Sequence, residues 1–263
     1  MFLTQQHIAI AKIENGDVSL VVVNIQSSPH DITSLNDVEP ECEFLFPDLS
    51  PGYRVADVMF RSDPGPEWTP NPKLQVPFHI SRKERLFIIT VSVQSLGLGH
   101  VQTYAVFVPT STLLRAMDSF AGAIEWTNGV LPVLDFRAPA PSFSDVWVCY
   151  VHGMSFASFL RGNRVNHRLF VLDFNQLAIR KAELEGRSKD TWQLLTNPTI
   201  IAHNAYSIFA ETVETALPLR FRAHEVKWDP DFDPLTVMIS EDAIILVERT
   251  TPSSLRRYRI LTF

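Results

Sequence analysis

Residues 7–26 read HIAIAKIENGDVSLVVVNIQ, two apolar runs joined at Asn15-Gly16. An Asn-Gly pair between such runs is the strongest short-range signal for a two-residue hairpin turn, because both turn residues take positive φ. Strands joined this way are antiparallel, and antiparallel sheets usually keep one face in water. Here both faces are apolar. Ile8 and Ile10 lie on one side, Ala9, Ala11 and Ile13 on the other, and the run LVVV (20–23) does not alternate at all. The same holds for LFIITV (86–91), AVFV (105–108) and AIILV (243–247). Neighbouring residues of a strand point to opposite faces, so these strands are expected to be buried on both.

Few architectures bury both faces of an antiparallel strand. Parallel sheets do it with helices, but helix signals are scarce. Residues 111–120 (STLLRAMDSF) predict a short helix capped by Ser111 or Thr112. Residues 175–186 (NQLAIRKAELEG) suit either a helix capped by Asn175, with Gly186 past its end, or a continuation of the preceding strand. Connections such as SED between LTVMI and AIILV are too short for a parallel crossover. A two-sheet sandwich would show alternating polar outer faces. A β-propeller, whose small sheets pack face to face around a ring, meets every condition. The expected fold is therefore all-β and propeller-like, of the Trp-Asp-repeat or kelch kind. Its single domain, 1–263, would hold about four blades at roughly 1–49, 50–135, 136–215 and 216–263, forming a partial or open ring. Val-Leu-Asp-Phe occurs twice, with Asp135 and Asp173 about 40 residues apart, the length of one blade.

Further strands are expected at 41–46, 53–60, 85–93, 103–108, 146–151, 168–174, 235–239, 243–249 and 256–263. Proline-rich stretches at 62–73 and 137–145 cannot join a ladder and read as surface connections.

The formal net charge of −6 gives no basis for binding nucleic acid or an anionic membrane. The two cysteines, Cys42 and Cys149, show no metal-ligand spacing and read as buried thiols of a reducing compartment. No charged segment leads into an apolar run at the start, and no stretch approaches the ~20 apolar residues of a membrane helix. A cytoplasmic or nuclear location is expected.

Motifs for chemistry are fragmentary. Gly153-Met154-Ser155-Phe156-Ala157 follows a strand and resembles a nucleophile elbow, with Asp173 or Asp190 and His203 or His224 as partners on paper. Ala157 stands where the elbow needs glycine. A serine hydrolase using Ser155 is thus the alternative, and a hairpin turn at His152-Gly153 the plainer account. Asp229, Asp231 and Asp233 alternate like the start of a calcium loop, but Pro234 and Ser240 occupy the positions of its glycine and glutamate, so a solvated loop is expected. SLGLGH (95–100) lacks the lysine of a phosphate loop and reads as a hairpin tip. RRYRILTF (256–263) reads as an edge strand with protective charge. Trp68, Trp126 and Trp192 lie in or beside polar segments as candidate binding anchors or core caps. No catalytic, cofactor or metal residue is assigned.

The ordered segments LFPDLSPGYRVADVMFRSDPGPEWTPNPKLQVPFHISRKERLFIITVSV, QTYAVFVPTSTLL, VWVCYVHG, VLDFN and ILTF resemble F-box proteins of mushroom-forming fungi, over the region following the F-box. In that family the F-box docks on the Skp-type adaptor of a cullin ubiquitin ligase, and the downstream region is taken to hold the substrate. No segment of this chain reads as an F-box. The resemblance therefore implies a non-enzymatic protein-binding module, the substrate-recognition half alone, without adaptor docking. Four blades cut from a ring would also expose blade edges, so self-association is expected.

Overall fold

A computed structural model describes residues 1–26, 39–63, 65–66, 84–97, 99–119, 122–125, 133–136, 150–160, 166–185, 192–204, 207–227, 232–250 and 255–262. In chain order the first elements are β1 (His7–Glu14), β2 (Asp17–Asn24), β3 (Cys42–Leu45), β4 (Tyr53–Arg61), β5 (Leu86–Ser95), β6 (Val101–Pro109) and α1 (Thr110–Ser119). Next come β7 (Gly122–Glu125), β8 (Val133–Phe136), β9 (Val151–His152), β10 (Ser155–Leu160), β11 (Asn166–Asp173) and α2 (Gln176–Leu184). The last are β12 (Gln193–Leu195), β13 (Thr199–Ile201), β14 (Val213–Thr215), β15 (Leu219–Lys227), β16 (Phe232–Ile239), β17 (Ala243–Thr250) and β18 (Arg256–Thr262).

The fold is all-β; among the described residues there are two short helices and several small sheets, none of them closed. Sheet I has the order β1-β2-β3-β7, sheet II β4-β5-β6-β8, sheet III β12-β15-β11-β10-β9 and sheet IV β16-β17-β18, while β13 and β14 form a separate ribbon. Among the described residues, all strand pairings are antiparallel except β3 with β7. The opening hairpin turns at Asn15 (φ 54°) and Gly16 (φ 97°), as its sequence predicts.

The sheets pack broadside. From β5 and β6, one face sends Phe87, Ile89, Val91, Val93, Tyr104, Val106 and Val108 into a core shared with Ala9, Leu20, Val22, Cys42 and Phe44 of sheet I. The opposite face sends Leu86, Ile88, Ala105 and Phe107 into a second core with Val151, Phe156, Leu172, Phe174 and Leu219 from sheet III and its flanks. Phe107 stands at its centre, 4.9 Å from the Phe174 ring and 5.0 Å from that of Phe156. The far side of sheet III contributes Ala157, Leu169, Val171 and Val226 to a third core with Val237, Ile239, Ile244 and Leu246 of sheet IV. Sheet II thus lies between I and III, and sheet III between II and IV. The fully buried runs of β5 and β6 follow from this stacking, since each face is screened by another sheet.

The terminal sheets differ. In β1 and β2, Ala9, Leu20 and Val22 face the core, whereas Ile8, Ile10 and Val21 on the other side are only half-buried. Double burial read from the opening hairpin therefore holds for the inner sheets and weakens in sheet I, although Val23 on its outer side is buried. In sheet IV, Leu246 and Val247 of β17 point opposite ways and are both fully buried.

Two strands leave the order of the chain. β7, inside 50–135, completes sheet I, and β15, inside 216–263, lies in sheet III between β11 and β12. The two Val-Leu-Asp-Phe copies are not equivalent either. β8 is the outer strand of sheet II, while β11 runs through the middle of sheet III. The first helix forms but begins at Thr110, so Ser111 and Thr112 lie inside it rather than capping it. Of the two readings of 175–186 the helix is the one that forms, and the Asn175 side chain accepts from the backbone N–H groups of Leu177 and Ala178 as the cap of α2. β18 is indeed an edge strand. Residues 232–239 form strand, so the expected loop around Asp229 and Asp231 can lie only outside the described residues, and Asp233 and Pro234 belong to β16. Most of 146–151, together with Cys149, Asp190, Trp68 and Trp126, also falls outside the described residues.

Candidate functional site

A polar cluster lies around the turn that follows β9, at the end of sheet III whose backbone bonds to Asp63 and Leu86. His152-Gly153-Met154-Ser155 is a two-residue hairpin turn, with Gly153 at φ 57° in its first central position. A hairpin replaces the strand–turn–helix of a nucleophile elbow, because Ser155 opens β10 rather than a helix. The turn is stitched on three sides. Gly153 N–H donates to the Asp63 carbonyl (2.7 Å), Leu86 N–H to the Gly153 carbonyl (2.8 Å), and Phe174 N–H to the Met154 carbonyl (2.9 Å).

Register places four polar residues in one row. Ser155 is opposite His152 on β9 and Asp173 on β11, and Asp173 is opposite Arg220 on β15. Directly paired residues share a face, so this row points away from Val151, Phe156 and Leu172, which enter the second core. His152 Nδ1 lies 2.8 Å from Asp63 Oδ2. Arg220 donates through Nε (2.7 Å) and Nη2 (2.6 Å) to one oxygen of Asp173, while the other accepts from the Asn175 N–H. Its guanidinium also sits over the Trp192 ring, 4.7 Å from the centroid. Trp192 is therefore half-buried beneath an arginine.

The partners offered on paper for Ser155 do not assemble. His203 donates Nδ1–H to the Phe209 carbonyl (3.0 Å) in the segment between β13 and β14, which packs on the first core. His224 pairs with Leu169, four residues along β11 from the Ser155 partner Asp173 and so about 13 Å away. Burial, and then the neighbouring Arg222 charge, holds the His224 imidazole below its ordinary pKa. Asp173 is adjacent to Ser155, but its carboxylate is taken by Arg220 and Asn175. The neighbour that sequence reasoning passed over is His152, and its signal was spacing: a two-residue hairpin sets residues i and i+3 side by side.

Around this row, Tyr150 is hydrogen-bonded to Thr90, and burial pushes its phenol up in pKa. Arg85 is buried, donating to the Leu3 carbonyl (2.6 Å) and lying over the Phe87 ring. Its burial lowers the guanidinium pKa and the charge of Asp63 opposes that shift.

A second feature lies between sheets I and II. Val18, Phe46, Leu49, Val55, Val106 and Phe209 line an apolar cavity of about 30 Å³. That is room for a methyl group or a water or two, not for an organic ligand. No group of three metal-binding side chains occurs among the described residues. Cys42 is a buried free thiol, its pKa raised first by burial and then by Glu41 and Glu43. No helix among the described residues is long and apolar enough to cross a membrane. Comparison with protein-family models, with curated proteins and with solved structures found no match to this chain.

Proposed function

We propose that this chain is a non-enzymatic protein–protein interaction module, similar to the substrate-recognition region of fungal F-box proteins, with its stacked sheets serving as about four blades of an open, propeller-like ring. The observation that carries the proposal is the broadside packing of helix-poor sheets, with β5 and β6 buried on both faces. Packing of this kind leaves loops and strand ends at the rims of the sheets, where propeller-like modules hold their partners. The polar row fits the same account, because the Asp173 carboxylate is consumed by Arg220 and Asn175 within the fold. The test is affinity capture, followed by reconstitution of each captured protein with the purified chain. A one-to-one complex by calorimetry is expected; if no captured protein forms a stoichiometric complex when purified, the proposal fails.

One observation favours a second function. Ser155 stands opposite His152, which is itself paired with Asp63, the serine–histidine–carboxylate types that a hydrolase uses. Fluorophosphonate labelling that is lost in Ser155→Ala would establish this chemistry and displace the binding module.

A further inference from the structure

The two ends of the stack carry complementary outer faces. On sheet I, the face of β1 and β2 turned away from the core reads, in successive cross-strand pairs, Glu14–Asp17, Lys12–Ser19, Ile10–Val21 and Ile8–Val23. On sheet IV, the face of β17 and β18 turned away from the third core reads Arg249–Arg256, Val247–Tyr258 and Ile245–Ile260. Ile260 and Tyr258 are 63% and 55% exposed. Ile8, Ile10 and Val21 are half-buried, while Val23 and Val247 within the same faces are buried. Each face thus has an apolar pair and, four residues along the strands, a charged pair, basic on sheet IV and acidic on sheet I. On sheet I, Lys12 of the same face already pairs with Glu14 (2.7 Å), and Glu43 opposite Val21 keeps the face acidic in sum. The separation is the same on both, about 13 Å at the rise of a strand.

The basic pair calls for an explanation. Like charges directly opposite one another destabilise a sheet, and neither Arg249 nor Arg256 has an ion pair among the described residues. The adjacent arginines differ: Arg257 and Arg259 both reach Glu248, at 2.6 and 3.0 Å. The unneutralised pair sits beside exposed Tyr258 and Ile260, in a chain whose net charge is −6. Self-pairing of this face would set arginine near arginine. Docking on the acidic end face of another copy would set the two arginines against Asp17 and Glu14, of which Glu14 already has Lys12 beside it, while burying the exposed parts of both apolar pairs.

We infer that copies of this chain associate head to tail, the outer face of sheet IV on one packing against the outer face of sheet I on the next, so that the broadside stack continues across molecules. The contact is heterologous, and without ring closure it extends beyond a dimer. This inference rests on the sheet packing and not on the proposed recognition of a substrate.

The test uses two variants at exposed positions, Ile260→Lys on the sheet IV face and Glu14→Lys/Asp17→Lys on the sheet I face, each checked for native circular dichroism. In sedimentation equilibrium the unsubstituted chain should show a mass that rises with concentration past the dimer and falls with added salt. Each variant alone should stay monomeric. Mixed in equal amounts they retain one intact interface and should give a one-to-one heterodimer that grows no further. A monomer throughout the micromolar range for the unsubstituted chain would overturn the inference. So would variants that associate normally alone, or a mixture that remains monomeric, which would point to a symmetric contact instead.

Discussion

Ile88 and Ile89 are adjacent on β5 and face opposite ways, Ile88 toward sheet III and Ile89 toward sheet I. Both are fully buried, at 1% and 0% exposure. If sheets screen each other on both sides, truncating either residue should be equally costly. Burying an isoleucine side chain is worth about 1.5–3 kcal/mol, and the cavity left by Ile→Ala adds about 24 cal/mol per Å3. We therefore expect Ile88→Ala and Ile89→Ala each to lose about 3–4 kcal/mol, or about 10 °C in Tm for a chain of this size. Ile260→Ala, on an outer face at 63% exposure, should lose about 0.5 kcal/mol, since most of that side chain is already in water. The assay is urea denaturation at fixed pH, with the slope monitored so that a change in midpoint reports stability alone. If either Ile88 or Ile89 cost less than about 1 kcal/mol, one side of sheet II would be facing solvent or a loosely packed layer. The stacking on which the proposed function rests would then be wrong.

Three other outcomes can be checked by the same melts. Glu248 is fully buried and neutralises Arg257 and Arg259, which are about one third exposed; Glu248→Ala should cost about 2–3 kcal/mol, less than the loss for a wholly enclosed pair because both arginines can turn to water. Val106→Ile should occupy the cavity between sheets I and II and gain up to about 0.8 kcal/mol, whereas a loss would mean that the space closes on its own. The folded state holds the His224 pKa below its ordinary value of 6.5, so the unfolded chain takes up the proton first and stability is lost as pH falls below that value. His224→Asn should therefore flatten the decline in denaturation midpoint below pH 6.5, and an unchanged decline would assign it to other groups.

Local signals carried far. The turn at Asn15-Gly16 and the unbroken apolar runs of β5, β6 and β17 were legible, because each depends on nearest-neighbour chemistry, whereas the cap at Asn175 was one of two readings that 175–186 allowed. The edge position of β18 was legible from its arginines, although two of them turn inward to serve Glu248. What escaped was whatever depends on distant partners. β15 alternates Leu219 and Phe221 with Arg220 and Arg222, a clear period of two, yet nothing within it says that it will sit beside β11. β7 is only the four residues Gly122–Glu125, too short to show a period, and it pairs with β3, about 80 residues earlier in the chain. The polar row of sheet III was hidden for the same reason. Ser155, Asp173 and Arg220 meet through register, and a one-residue slip would have sent each to the other face.

The parallel pairing of β3 with β7 also sets an order of assembly. Residues 122–125 are made only after the whole of β4, β5, β6 and α1, so during synthesis sheet I must wait with one edge open while the first three strands of sheet II are laid down. A chain released early, or cut at the seam between the first two sheets, would carry a hairpin with an unfinished border and a bare apolar side. Its tendency to clump would reflect a missing late segment rather than any flaw in the part already built.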